Sequence, residues 1–542
     1  MAEDTEQQAS TRGPAQPSFV FRGHTAQIHS ARIVSRNTCL VTGDADGWVV
    51  IWRLETKRAL AVWKAHDGAI LETAMWGNDK FITHGRDHNL RIWQLDISNA
   101  SNLSRALPAE GSEIDRPKPW LLHSLPANTL NFCAFSMCYA TDVLRNSESE
   151  PINTQDESVL IAVPARDDKK VEVYQFPQEK LICVVPKVES KDTGMVMAVK
   201  LVHHSASNDI LIAVGYEGGF IAVYAIPRSP TQQTQATRHP IRIAQIIYLS
   251  QPHTQPVLSL DVLPASGTTF FTSSADAVIA KHQINYVPLD DITNSSLERN
   301  KGIVEEACKA KEHSFKDGDA ATTSDTDAKP LTLTPPIPTH QHTSTIPKDL
   351  PSNEDLDIST EPLDFKKKPM PASRSASTST NSATKPGGLS SLLSGAAKPQ
   401  HQTRPAPPLV PKVVTPEPPY KFMNTKHAGQ QSLRVRSDGR LLVTGGWDKR
   451  VRVYSTKTLK EVAVLKWHSE GVYAVDFGEI LDAEDIQSGV GRKGTANDES
   501  GQVSKRETGL GKLQRQREER MQMKHWVVAG AKDGKVSLWE VF

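Results

Sequence analysis

Cysteine is scarce in this chain: five among 542 residues, at positions 39, 133, 138, 183 and 308, with no Cys-x-x-Cys pair. So sparse and odd a set excludes a disulfide scaffold and fits a reducing compartment. Long apolar runs are also missing, and nothing approaches the roughly 18 residues a membrane helix needs. The opening MAEDTEQQAS is polar and acidic, which argues against a secretory leader. Neither charge is in excess. Sixty-three Lys plus Arg face 62 Asp plus Glu, a net charge of +1, so the surface as a whole does not coat nucleic acid or anionic membrane. There is no P-loop, no GxGxxG ahead of a helix and no GxSxG. Aromatics nearly vanish between 321 and 420, where only Phe365 and Tyr420 stand among 18 of the 35 prolines. Such a segment buries too little apolar surface to offset its ordering entropy.

These gaps divide the chain. Residues 1–17 read as a disordered tail and 287–415 as a disordered Pro/Ser/Thr-rich insertion. A polar insertion covers 480–522, within which Lys512–Arg520 has helical spacing. All ten tryptophans lie outside 121–446. The best-patterned folded sequence therefore sits at the two ends, with 18–286 and 416–542 as the folded parts.

Those ends repeat each other. LVTGDADGWVVIW (40–52), FITHGRDHNLRIW (81–93), FFTSSADAVIAKH (270–282), LVTGGWDKRVRVY (442–454) and VVAGAKDGKVSLW (527–539) align without gaps in their second halves. LIAVPARDDKKVEVY (160–174) and LIAVGYEGGFIAVY (211–224) are weaker copies. Each copy reads as an apolar strand, a small-residue turn carrying Asp, and an alternating strand ending in an aromatic. A His precedes each turn Asp by about 20 residues in five copies: His24/Asp46, His66/Asp87, His253/Asp276, His427/Asp448 and, once the insertion is removed, His468/Asp533.

This pattern resembles the WD-repeat family, which implies an all-β, seven-bladed propeller with the long insertion between blades five and six. The resemblance assigns a His, Ser/Thr, Asp and aromatic set to each well-formed blade. The sets are His24, Thr42, Asp46 and Trp52; His66, Thr83, Asp87 and Trp93; His427, Thr444, Asp448 and Tyr454; and His468, Asp533 and Trp539, where Ala529 replaces the hydroxyl. In the family these side chains form an internal hydrogen-bonded network. Recurrence at one spacing favours that structural role over catalytic His/Asp dyads. The chain stops at a third strand, so Phe19-Val20-Phe21-Arg22 is expected to complete blade seven.

The turn Asp bonds the His of the loop leading into the blade, so these turns and loops should share one face. That face carries Arg86, His88, Trp447, Lys449, Arg450 and Lys532, a basic rim with one large aromatic. It suits an acidic protein segment better than nucleic acid. Trp447-Asp448-Lys449-Arg450 has the look of the Trp-Asp-x-Arg string of ubiquitin-ligase receptors, but there the pair closes the third strand, whereas here it lies in the preceding turn.

A narrower resemblance is carried by GQQSLRVRSDGRLLVTGGWDKRVRVYSTKTLKEVAVLKWHSEGVYAVDF, by the C-terminal WVVAGAKDGKVSLWEVF and by the opening FVFRGHTAQIHSARIV. It is to the Gβ-like WD proteins whose fungal members are the ASTRA-associated WD subunit. That resemblance implies a non-enzymatic scaffold within a nuclear ASTRA-type assembly, linked to chromatin remodelling and to maturation of phosphatidylinositol-kinase-like proteins. The implied partners are protein subunits, with no cofactor, metal, small-molecule substrate, membrane or direct nucleic-acid contact. The implied location is the nucleus, with the cytoplasm second. The competing expectation is a Gβ-like signalling adaptor in the cytosol.

Overall fold

The computed structural model describes residues 15–111, 116–130, 132–140, 158–207, 209–228, 241–264, 266–286, 288, 414–486 and 509–541. Most of the expected tail, nearly all of 287–415 and the centre of 480–522 lie outside those residues.

Seven sheets, antiparallel except for one short added strand, form the blades of a propeller. Blade one holds Ile28–Val34, Cys39–Asp44, Trp48–Arg53 and Arg58–Lys64, and blade two Ile70–Trp76, Lys80–Gly85, Asn89–Gln94 and Trp120–Pro126. Blades three and four grow from the two weak copies, with central strands Val159–Pro164 and Val171–Phe176, then Ile210–Tyr216 and Ile221–Ala225. Blade three gains a short fifth strand, Arg242–Ile243, parallel to its edge.

Blade seven consists of Val472–Phe477, Trp526–Ala531 and Val536–Glu540, and its outer strand is Phe19–Phe21. The register sets Phe19 against Leu538 and Phe21 against Val536. The outer strand of blade five, Lys421–Asn424, pairs with Val278–Gln283. It follows the long insertion in sequence, so the expected boundary at 416, which gave these residues to blade six, is corrected. The chain returns along blade four, where the Glu417 amide donates to Leu249 O at 2.8 Å. The expected helix occupies Gly509–Gln522.

The strands bury both faces, and alternation decides which neighbour each side chain meets. In blade one, Leu40, Val50 and Trp52 join Trp526 and Leu538 of blade seven. Val41, Val49 and Ile51 join Ile70, Phe81 and Trp93 of blade two. The core is thus a set of seams between blades. A glycine one position before the end of the second strand permits close seams in blades one and seven: a Cβ on Gly43 would sit 2.6 Å from Ile70 Cγ2, and one on Gly530 would sit 2.3 Å from Ile28 Cγ2.

Bulges recur at fixed positions. The first strand is interrupted opposite the second between Ile28 and Ser30, Ile70 and Glu72, Val196 and Ala198, Val257 and Ser259, Gln430 and Ser432, and Val472 and Ala474. Each extra residue sharpens the strand's twist, which lets the sheet splay from axis to rim.

Because Phe21 is buried against Trp52 at 5.1 Å between ring centroids, Phe21→Ala should cost about 3–5 kcal/mol. Deleting residues 1–22 should cost more, since it also opens an edge of blade seven. Chemical denaturation of the three proteins checks the order.

Candidate partner-binding face and the relays beneath it

A repeated backbone bond ties the turn between second and third strands to the loop that leads into the same blade. Ala45 N donates to Gln27 O, Arg86 N to Ala69 O, Glu217 N to Met195 O, Ala275 N to Pro256 O, Trp447 N to Gly429 O and Lys532 N to Gly471 O, at 2.8–3.0 Å. These turns and loops therefore form one face.

Beneath them run side-chain relays. In blade two the Trp93 indole N–H donates to Thr83 Oγ1 at 2.9 Å, and Thr83 meets His66 Nε2 at 2.7 Å. His66 Nδ1 reaches Asp87 Oδ1 at 2.8 Å. A carboxylate only accepts and a guanidinium only donates, so Asp87 and Arg91 Nη1, the latter also 2.8 Å from Nδ1, favour opposite tautomers of His66, and the Thr83 hydroxyl can serve Nε2 in either. Burial lowers the His66 pKa against the pull of Asp87. Burial alone would raise the Asp87 carboxyl, but His66 and Arg91 hold it far below its ordinary range.

Blade one differs from expectation. The carboxylate on His24 Nδ1 is Asp44 at 2.7 Å, not Asp46. Asp44 is buried at the end of the second strand, and its other oxygen accepts the amides of Asp46 and Trp48 at 3.0 and 2.9 Å. Asp46 sits at the exposed tip before Gly47. Thr42 and Trp52 complete the relay, at 2.7 and 2.9 Å. In blade five, His282 replaces the Trp and meets Thr272 at 3.1 Å, with Thr272 on His253 at 2.9 Å and His253 on Asp276 at 3.2 Å.

Blade six also departs. His427 is half-exposed, 3.5 Å from Asp448, and the Thr444 hydroxyl donates instead to Gln430 Oε1 at 2.7 Å. The longer Gln430 side chain fills the buried place, and Asp448 is gripped by Arg452 at 3.0 and 2.5 Å. Tyr454 closes the strand, buried. In blade seven, Ser537 supplies the hydroxyl that Ala529 lacks. It stands opposite Ala529 in register, meets His468 Nε2 at 2.7 Å and accepts from Trp539 Nε1 at 2.8 Å. Asp533 holds Lys535 at 2.6 Å rather than His468, whose Nδ1 has no partner among the described residues.

The candidate face residues are brought to this side but not into one cluster. Trp447 is 46% exposed, with its indole N–H on Gln431 Oε1 at 2.8 Å. Lys449, exposed, and Arg450 follow it, and Lys532 is exposed on blade seven. Arg86 stacks over the ring of Phe132 at 3.8 Å, and Phe132 is itself 55% exposed. His88 turns to Thr129 at 3.0 Å. The corresponding turn of blade three mixes Asp167 and Asp168 with Arg166, Lys169 and Lys170, whereas those of blades one, four and five carry Asp46, Glu217 and Asp276 without a cation, so the basic character is broken around the ring.

This face borders the mouth of a central cavity of about 560 Å³. The bulged residues His29, Leu71, Met197, Leu258, Gln431 and Tyr473 all line it, with Trp447 and Phe132. The bulge leaves each one out of the ladder and available to the axis. Nothing in the aligned copies marks them, since they lie before the best-matched stretch. Phe132 belongs to the link between blades two and three, which has no repeat to be read against. Deeper in, Arg32 faces Glu72 and Asp476 at 3.6 and 3.5 Å, Arg434 bonds Glu72, and Lys200 meets Asp261 at 2.7 Å. Asp476 and Asp261 also accept the amides of Ile33 and Val435 at 2.9 and 2.8 Å. The belt stitches neighbouring blades together, and its Arg434–Glu72 pair joins blades six and two, which are not neighbours in the ring.

Comparison with known proteins agrees with this architecture. The family profile described as ASTRA-associated protein 1 matches residues 17–325, and that described as WD domain, G-beta repeat matches residues 420–455. ASTRA-associated protein 1 of Pyricularia oryzae is 37% identical over 98% of both chains. Its namesake in Aspergillus niger is 35% identical over 98% of both. The Schizosaccharomyces pombe protein of that name is 24% identical over 85% of this chain and 93% of its own.

The relays predict an unequal pair of substitutions. Asp44→Ala, which strands a buried His and two amides, should cost about 1–3 kcal/mol, whereas Asp46→Ala should stay within about 0.5 kcal/mol; urea titration separates them. A second expectation concerns acid. Burial lowers His84 and His282 to about 3 and His468 to about 4, from an ordinary 6.5. These rings stay neutral in the fold while the unfolded chain takes up protons below pH 6.5, so stability should fall as pH drops from 6.5 towards 4. Neither nitrogen of His84 has a partner among the described residues. His84→Leu should therefore hold stability at pH 7 and lessen the acid-side slope by about 1.4 kcal/mol per pH unit. Denaturation at pH 7, 6 and 5 measures it.

Proposed function

This chain belongs to the ASTRA-associated protein 1 family, and from that premise we propose that it is a non-enzymatic scaffold subunit of a nuclear ASTRA-type assembly. The family resemblance links such an assembly to chromatin remodelling and to maturation of phosphatidylinositol-kinase-like proteins. Neither matched profile is that of an enzyme. Among the described residues no helix is long and apolar enough to cross a membrane.

One observation carries the contact we assign to this scaffold. Two large aromatics, Trp447 and Phe132, stand half-exposed on the face where Arg86, Lys449, Arg450 and Lys532 project. A half-exposed Trp beside Lys and Arg is the usual make-up of an interface anchor. The fitting partner is an acidic protein segment with an apolar side chain for the aromatics. Nucleic acid fits less well, because the cation-free acidic turns of blades one, four and five, with Asp46, Glu217 and Asp276, interrupt the basic rim.

Trp447→Ala combined with Lys449→Glu should reduce recovery of partner proteins from native extract about tenfold while the melting temperature falls only a few degrees. Lys457→Glu, in the turn between third and fourth strands of the same blade, lies on the opposite face and should do less. Equal loss from both, or none from the first, removes this face from the assembly. Native fractionation tests the class: the chain should elute in an assembly many times its own 59.6 kDa, and elution near that mass would favour the signalling adaptor.

A further inference from the structure

A second surface lies on the outer side of the ring, at the seam where chain start meets chain end. The outer strand of blade seven, Phe19–Phe21, faces the outer part of blade one across a groove of about 780 Å³. The far wall comes from the link after blade two. There, Ser104 O accepts the Val62 amide at 2.7 Å, and the Ala109 amide donates to Gly23 O at 2.6 Å, so residues 104–109 span from the edge of blade one to the loop leading into it.

The lining is charged with one sign. Arg22, Arg53, Lys57, Arg58 and Arg105 all border the groove, and no carboxylate does. Among the described residues none of the five has an ion pair. Elsewhere on this protein cations are commonly matched, as Lys524 is to Glu540 at 2.6 Å and Lys535 to Asp533 at 2.6 Å. Lys57 lies over the Phe19 ring at 5.5 Å, and its pKa is lowered by burial and by the nearby Lys524. Between the cations stand Phe19, Leu60 and Leu107, the last exposed. Five like charges gathered without counter-charge destabilise the fold by their repulsion unless an anion relieves it.

We propose that this seam groove binds an extended acidic segment of a partner protein, carboxylates on the cations and apolar side chains between Phe19, Leu60 and Leu107. The segments Phe19–Arg22, Arg53–Leu60 and Arg105–Leu107 each bring both a cation and an apolar residue to the groove, and one of its walls is the edge strand of blade seven, a setting suited to a single extended chain. A nucleic-acid backbone would meet the cations but leave Phe19, Leu60 and Leu107 without apolar partners. The surface is separate from the face that carries Trp447, so each can fail without the other.

The probe is a fluorescein-labelled peptide of about twelve residues, alternating Glu with Leu and Ser, titrated by anisotropy against the full chain at about 0.1 M salt. The unaltered chain should bind it, and Arg58→Glu with Arg105→Glu should weaken binding at least about tenfold. Trp447→Ala with Lys449→Glu should leave it within about twofold, which separates this groove from the other face. Arg22→Gln with Arg105→Gln repeats the test should the reversals unfold the protein, and should weaken binding in the same direction. Absence of binding, or binding indifferent to these arginines, overturns the proposal. So does tighter binding of an oligothymidylate of equal length through the same residues, which would make the groove a nucleic-acid site. An affinity about tenfold higher in a chain lacking residues 1–14 overturns it too, because the acidic Glu3, Asp4 and Glu6 would then be the occupant.

Discussion

Every blade of this protein is a sheet with two apolar faces, and that is the constraint on which the rest depends. A sheet buried on both sides has no solvent face to end on, so each blade requires a neighbour in both directions. Leu40 and Val41, adjacent in one strand, belong to two different seams. The requirement is met only if the first and last blades touch. Phe19–Phe21 completes the last sheet from the other end of the chain, and Phe21 lies in the same seam as Trp52 and Trp526. Closure thus joins residues more than 500 positions apart, and the contact order is correspondingly high.

The twist that closure demands also builds the face. Six inner strands bulge at one position, and the six residues set free by the bulges line the upper cavity. Below them, charges of both signs are held at the axis, where their desolvation is offset by pairing and by backbone amides. The belt is matched within itself, whereas the arc of Arg86, Lys449, Arg450 and Lys532 and the cations of the seam groove form no ion pair among the described residues. Uncompensated charge on a rigid ring is what an interaction scaffold offers to partners.

The relays show how one physical requirement tolerates different residues. A buried hydroxyl must sit between the strand-ending donor and the residue of the leading loop. Thr42, Thr83 and Thr272 supply it from the second strand, and Ser537 supplies it from the third, two positions before Trp539. His282 serves as closing aromatic in blade five and Gln430 as the acceptor in blade six. What persists in these blades is the bond between the buried hydroxyl and the leading residue, not the residue type, and in blade six the strand-ending Tyr454 hydroxyl has no hydrogen-bond partner among the described residues.

The sequence by itself determined the number of blades, their central hairpins, and which side chains would be buried as aromatics or hydroxyls, because period-2 alternation and turn chemistry are local properties of the chain. It pointed to the face of Arg86, Trp447 and Lys532, since the turn and the leading loop stand at fixed offsets in each copy. Only the tertiary structure decided the rest. Asp44 rather than Asp46 meets His24 because that depends on which carboxylate lies at the strand end beside the ring, a matter of about 7 Å that offset alone does not resolve. Gln430 displaces His427 and Ser537 answers Ala529 because packing across strands selects the partner in reach. Lys421–Asn424 joins blade five across the long insertion because an edge strand takes its sheet from hydrogen bonding and not from its nearest neighbour in sequence. The bulged cavity residues and the seam groove have no signature in the repeat, since each draws its members from segments that become neighbours only when the ring is closed.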